Sequence, residues 1–121
     1  AELYEGSVWE TLFFISHHKL NHLQLIVDRN GLGILGGTEE LLKLEPIDEK
    51  FKSFGFEVKI VDGHNYDELR SAFASKPKAP SVIIANTIKG KGVSYMEDIW
   101  QYHTIIPKDK DLIKQGLEEL S

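Results

Sequence analysis

Leu23-Gln24-Leu25-Ile26-Val27-Asp28 runs directly into Arg29-Asn30-Gly31-Leu32-Gly33-Ile34-Leu35-Gly36-Gly37-Thr38, and this passage decides the fold class. Its first half is short, apolar and rich in branched residues, the composition of a buried strand. Its second half places four glycines within the seven residues 31–37. That density predicts a loop with backbone angles that side chains disfavour, or a close approach to a ligand. Two further segments read as strands, 56–61 and 81–87, the latter being Ser-Val-Ile-Ile-Ala-Asn-Thr, β-branched and too short for a helix.

Helices are predicted between and around these strands. Glu39 to Leu44 reads as a short turn of helix, and Pro46 and Gly55 bracket another over 47–54 with Phe51 and Phe54 on one face. Asn65 as N-cap, with Glu68 three residues on, starts a helix to about Ser75 whose apolar stripe is Leu69, Ala72 and Phe73; Pro77 and Pro80 end that connection. Ser7-Val8-Trp9-Glu10 reads as a capping box opening a helix to about His18 or Leu20. Val8, Trp9, Leu12, Phe13, Phe14 and Ile15 make that helix apolar on more than one side, which suits packing between a sheet and a second surface such as a partner subunit. A last helix is expected over about 109–120.

Strands alternating with helices imply parallel pairing through crossovers, so the expected architecture is α/β, a parallel sheet with crossover helices of the doubly wound kind. In such sheets ligands bind beyond the carboxyl ends of the strands. Here those ends are Asp28-Arg29-Asn30-Gly31, Asp62-Gly63-His64-Asn65 and Thr87-Ile88-Lys89-Gly90-Lys91-Gly92, a polar and glycine-rich set. An anionic ligand, a phosphate with a divalent cation, fits that edge.

Composition limits the alternatives. At 121 residues the chain is one domain-sized segment, able to bury roughly two-thirds of its unfolded surface. Fourteen Lys and Arg against nineteen Asp and Glu leave a net charge of −5, which argues against a nucleic-acid partner because phosphate-backbone binding needs clustered cations. Apolar runs such as 12–15 and 82–85 fall far short of the ~20 residues that cross a bilayer, so no membrane span is expected. Zero cysteines exclude disulfides and thiolate chemistry. With no basic-then-apolar segment at Ala1 to Gly6, the cytoplasm is the expected location.

Taken together, Glu5-Gly6-Ser7-Val8-Trp9-Glu10, His18-Lys19-Leu20, Val27-Asp28-Arg29-Asn30-Gly31-Leu32, Phe54-Gly55-Phe56, Val61-Asp62-Gly63-His64 and Thr87-Ile88-Lys89-Gly90-Lys91-Gly92-Val93-Ser94 strongly resemble transketolase. The resemblance covers about residues 1–107 in order. It implies the C-terminal half of that family's N-terminal, thiamine-diphosphate-binding domain, the whole of 1–121 being a single segment of it. The family motif begins Gly-Asp-Gly and closes at an Asn. By resemblance Ala1 matches the second Gly and offers its backbone N–H to the diphosphate, the metal-binding Asp stands just before it, and Asn30 is the closing Asn. Asn30 and the Leu32 carbonyl are then metal ligands for Mg²⁺, with Ca²⁺ as a substitute, in keeping with the oxygen ligands such cations take.

The same resemblance makes Ile34 an apolar contact of the cofactor. It places Glu5 in a carboxylate network at the subunit interface, and His103 near the diphosphate and the substrate, where imidazole can hydrogen-bond or carry a proton. Two positions depart from the family pattern: Ala1 stands where it has Gly, and Leu35 where many members have Asp. The implied reaction moves a two-carbon ketol unit from a ketose phosphate to an aldose phosphate. It requires a pyrimidine-binding domain or subunit, in a homodimer or in an assembly of split subunits, and this segment is not expected to turn over substrate alone. The alternative is a cofactor-free relative acting as an assembly or regulatory module. A nucleotide-binding reading of Lys89-Gly90-Lys91-Gly92 lacks the spacing and Lys-Ser/Thr ending of a P-loop. His17, His18 and His22 read as helix-end and loop surface, and Asp62-Gly63-His64 as a strand-end turn before a helix cap.

Overall fold

A computed structural model describes residues 2–121. They divide into two compact units: 2–29 with 44–86, and 30–43 with 87–121. The first holds a helix α1 (Gly6–His17), strand β1 (Gln24–Arg29), helix α3 (Ile47–Ser53), strand β2 (Glu57–Asp62), helix α4 (Tyr66–Phe73) and strand β3 (Ser81–Asn86). The second holds α2 (Thr38–Leu41), a 3-10 turn at Trp100–His103 and α5 (Lys110–Glu119).

All three strands are parallel, in the order β1-β3-β2. The central position falls to the most apolar strand, and its residues Val82, Ile83, Ile84 and Ala85 are all buried. A strand covered on both faces has no water-facing side to spend on polar residues, so it reads as a continuous apolar run rather than an alternating one. On one face Val82 and Ile84 join Val27 and meet Leu12 and Ile15 of α1, Ile47 and Phe51 of α3, and Phe56. Phe51 is the largest fully buried side chain, and its ring lies 5.8 Å from Trp9 and 6.0 Å from Phe56. Removing about 150–250 Å² per aromatic from water makes this cluster the main apolar stabilisation of the unit.

The predicted strands and helices all form, most with ends displaced by one or two residues and α2 ending at Leu41, three residues before the expected Leu44, but the capping box does not. α1 begins at Gly6 behind Glu5, which makes no side-chain cap, and the Ser7 carbonyl instead accepts from the Thr11 hydroxyl at 2.7 Å. The cause is a 3-10 turn at Glu2–Tyr4 that leads straight into the helix, with Glu5 N–H on the Glu2 carbonyl (2.9 Å) and the Trp9 indole on the Leu3 carbonyl (2.8 Å). At α4 the cap forms as read: Asn65 Oδ1 accepts from the Asp67 and Glu68 N–H groups, and its amide donates to Glu68. The two-sided character of α1 is plain in burial, since Leu12 and Ile15 face the core while Phe13 and Phe14 are exposed. No helix among the described residues is long and apolar enough to cross a membrane.

Candidate functional site

In the first unit the three strands stop at one level, with Arg29 opposite Asn86 and Asn86 opposite Asp62. The strand-end polar residues therefore share one edge, as the α/β reading requires. Arg29 is held by Glu45 through two bonds, Nε and Nη2 to Oε1 at 3.0 and 2.9 Å, and Glu45 Oε2 also accepts from the Ile47 N–H at the start of α3. Asp62-Gly63-His64 is a turn: Gly63 N–H donates to the Asn86 carbonyl at 2.7 Å and His64 N–H to Asp62 Oδ1 at 2.9 Å. The structural reading of that motif holds. Glu5 lies in this unit too, exposed at the N-cap of α1.

The second unit opens with the glycine-rich segment, which is a tight hairpin. Leu32 pairs with Gly37 in an isolated antiparallel bridge flanked by two bonds, Thr38 N–H to the Gly31 carbonyl (2.9 Å) and Gly33 N–H to the Gly36 carbonyl (2.8 Å). Gly31 sits at φ +72°, where a side chain is strained. That angle lets the chain double back so that Leu32 N–H donates to Asn30 Oδ1 at 3.0 Å, an Asx turn. Neither flanking bond uses the Leu32 carbonyl, and Asn30 Oδ1 has two lone pairs, of which this bond takes one. The hairpin thus joins Asn30 to Leu32 through this bond, and the Asn30 amide oxygen and the Leu32 carbonyl are neutral oxygens of the kind a hard cation takes. Ile34 and Leu35 are exposed at its tip.

Lys89-Gly90-Lys91-Gly92 does not form an open phosphate cradle. Gly92 N–H donates to Glu97 Oε1 at 3.0 Å and Lys91 Nζ lies 3.5 Å from the same oxygen, so a carboxylate of this chain takes those donors. His103 ends the Trp100–His103 turn in an exposed position, beside Tyr102, whose ring meets Tyr95 at 5.8 Å. Ala1 lies outside the described residues. Among those residues no group of three or more His, Cys, Asp or Glu side chains is placed to hold a metal. Sequence reasoning gave no role to Thr38, which is buried where the hairpin closes against the Gly31 carbonyl. Its only signal was a hydroxyl residue closing a glycine run, too common a pattern to single out.

The family model described as "Transketolase, thiamine diphosphate binding domain" matches residues 1–117. The chain belongs to the transketolase thiamine-diphosphate-binding domain family. Among relatives, the 6-deoxy-6-sulfo-D-fructose transketolase subunit SqwG of Clostridium sp. (strain MSTE9) is 44% identical over 77% of this chain and 35% of its own length. An apulose-4-phosphate transketolase subunit from Actinobacillus succinogenes is 38% identical over 99% of this chain and 44% of its own length. The crystal structure of transketolase from Campylobacter jejuni superposes with a TM-score of 0.88 at 33% identity, over 98% of this chain and 19% of that one. The chain spans less than half the length of each of these transketolase relatives, and its three parallel strands with helices match the transketolase fold.

Proposed function

We propose that this segment holds Mg²⁺ and the diphosphate of thiamine diphosphate in an enzyme that transfers a two-carbon ketol unit from a ketose phosphate to an aldose phosphate. The observation that carries the reading is the hairpin after β1, which turns Asn30 Oδ1 and leaves the Leu32 carbonyl outside its own ladder. Mg²⁺ bound by one or two protein oxygens and phosphate oxygens is the usual arrangement at such sites. When bound, the cofactor supplies an electron sink for carbon–carbon bond cleavage.

In this reading Asn30 and Leu32 ligate the metal, Ala1 offers its N–H to the diphosphate, and Ile34 packs on the cofactor. His103, exposed at the end of its turn, hydrogen-bonds near the diphosphate and the substrate, holding or moving a proton at its ring nitrogens. Glu5 joins a carboxylate network at a subunit interface, which the exposed Phe13 and Phe14 of α1 would help to cover. Relatives named as transketolase subunits, such as those from Clostridium and Actinobacillus succinogenes, support an assembly of split subunits in which the pyrimidine-binding part is a separate chain. A homodimer is the other arrangement, and the cytoplasm is the proposed location.

Calorimetric titration of thiamine diphosphate with Mg²⁺ into the full parent protein tests this. Micromolar binding that Asn30→Ala weakens at least tenfold is the expected result. No binding by the intact parent would overturn it in favour of a cofactor-free scaffold.

A further inference from the structure

We infer that Thr38 is a positioning residue that sets the metal-facing geometry of Asn30 from the far side of the hairpin; the inference rests on the cofactor-binding reading above. The carbonyl of Gly31 and the N–H of Leu32 belong to one peptide group, which is planar. Whatever orients the carbonyl therefore orients the N–H. Thr38 grips the carbonyl twice, through its backbone N–H at 2.9 Å and its hydroxyl at 3.2 Å. At the other end of the same plane, Leu32 N–H holds Asn30 Oδ1 at 3.0 Å. The line from Thr38 to the proposed ligand atom is thus one rigid plane long.

The plane needs this grip. It follows Gly31, at φ +72° with open space where a side chain would stand, so no side-chain packing at Gly31 resists rotation of the peptide. Thr38 is 4% exposed, so water has little access to replace a missing hydroxyl. Donation to the Gly31 oxygen also polarises the peptide and strengthens its N–H as a donor. The hydroxyl is 3.3 Å from Glu39 Oε1 as well, so that carboxylate competes with the Gly31 carbonyl for its single hydrogen. Deleting it leaves the Gly31 carbonyl with the backbone donor alone.

The test uses the full parent protein and three variants, Thr38→Val, Thr38→Ala and Thr38→Ser, with thiamine diphosphate binding followed by calorimetry across a Mg²⁺ series and the urea midpoint measured beside it. Expected is a rise of about tenfold in the Mg²⁺ concentration for half-maximal binding in both Val and Ala variants, the scale at which outer ligands tune metal sites. Thr38→Ser should return it to within about twofold of the parent, because only the hydroxyl is needed. A residue that merely stabilised the fold would lower the urea midpoint and leave the Mg²⁺ requirement of the folded protein unchanged. If Val and Ala bind with the parent's Mg²⁺ requirement while Asn30→Ala loses binding, the positioning role is overturned and the cofactor reading stands. If the parent itself binds neither cofactor nor metal, both fall.

Discussion

Gly31 and Gly90 have nearly the same backbone angle, φ +72° and +75°, yet replacing each by alanine should have very different consequences. Both variants carry the strain of a side chain in left-handed backbone, roughly 1–2 kcal/mol. Both regain about 0.4–1 kcal/mol because alanine has less conformational freedom to lose on folding. At Gly31 a Cβ meets nothing within 4 Å, so the net cost stays near these terms, about 1 kcal/mol. At Gly90 the same Cβ would stand 2.6 Å from the Met96 carbonyl oxygen and 2.8 Å from its carbon. Those atoms are backbone, and they cannot move aside cheaply. Val93 N–H bonds the Gly90 carbonyl, Met96 and Glu97 N–H bond the Val93 carbonyl, and Asp98 N–H bonds the Lys89 carbonyl, all within 3.1 Å. Overpacking of about 1–3 kcal/mol and the weakening of one such bond, about 1 kcal/mol, then add to the strain. Gly90→Ala should cost about 2–4 kcal/mol more than Gly31→Ala. Equilibrium urea denaturation of the cofactor-free protein, read by tryptophan fluorescence, would show this as a midpoint difference on the order of 1 M. Equal midpoints, or a larger loss at Gly31, would refute the argument that backbone packing dictates glycine at position 90.

Two further outcomes follow from local geometry. Asn65→Ala removes the acceptor of two N–H groups at the start of α4 and the partner of Glu68, and should lower stability by about 1 kcal/mol in the same denaturation assay; Asn65→Asp, which keeps the acceptor, should lose much less. Gln115 and Ser94 donate to Glu119, with the Ser94 N–H as a further donor, and together they hold its carboxyl below the usual glutamate range. A depressed folded value means that this clasp stabilises α5 above the ordinary glutamate pKa and is lost as pH falls through the folded one. Carbon NMR titration of Glu119 should move back toward the ordinary value in Ser94→Ala, and an unchanged titration would remove the serine hydroxyl as a cause.

Much of the candidate site could be read from residues adjacent in the chain. Asn30 followed by Gly31 announces a turn because glycine tolerates the required angle and a short amide side chain can accept from an N–H two residues on, and the structure places that bond. Thr38 could not be found this way, since its partner Gly31 is seven residues off and the contact exists only once Leu32 and Gly37 pair. The lysine and glycine run at 89–92 misleads in the other direction. Its donors face Glu97, brought back by the turn at 93–96, and composition does not reveal which carboxylate a turn returns.

The chain's own residues determined the kind of each element, because period, caps and glycines act over a few bonds: the strand after His22, the cap at Asn65 and the parallel class of sheet are all local information. Only the tertiary structure decided the order β1-β3-β2, with the last strand inserted between the first two. Strand order is set by which apolar surfaces bury most when all are present, and the fully buried Val82-Ile83-Ile84 segment is the one that both neighbours can cover. The start of α1 was decided in the same way. A local box at Ser7 gave way to a turn held by the Trp9 indole on the Leu3 carbonyl, a side-chain bond spanning six residues that capping rules do not include.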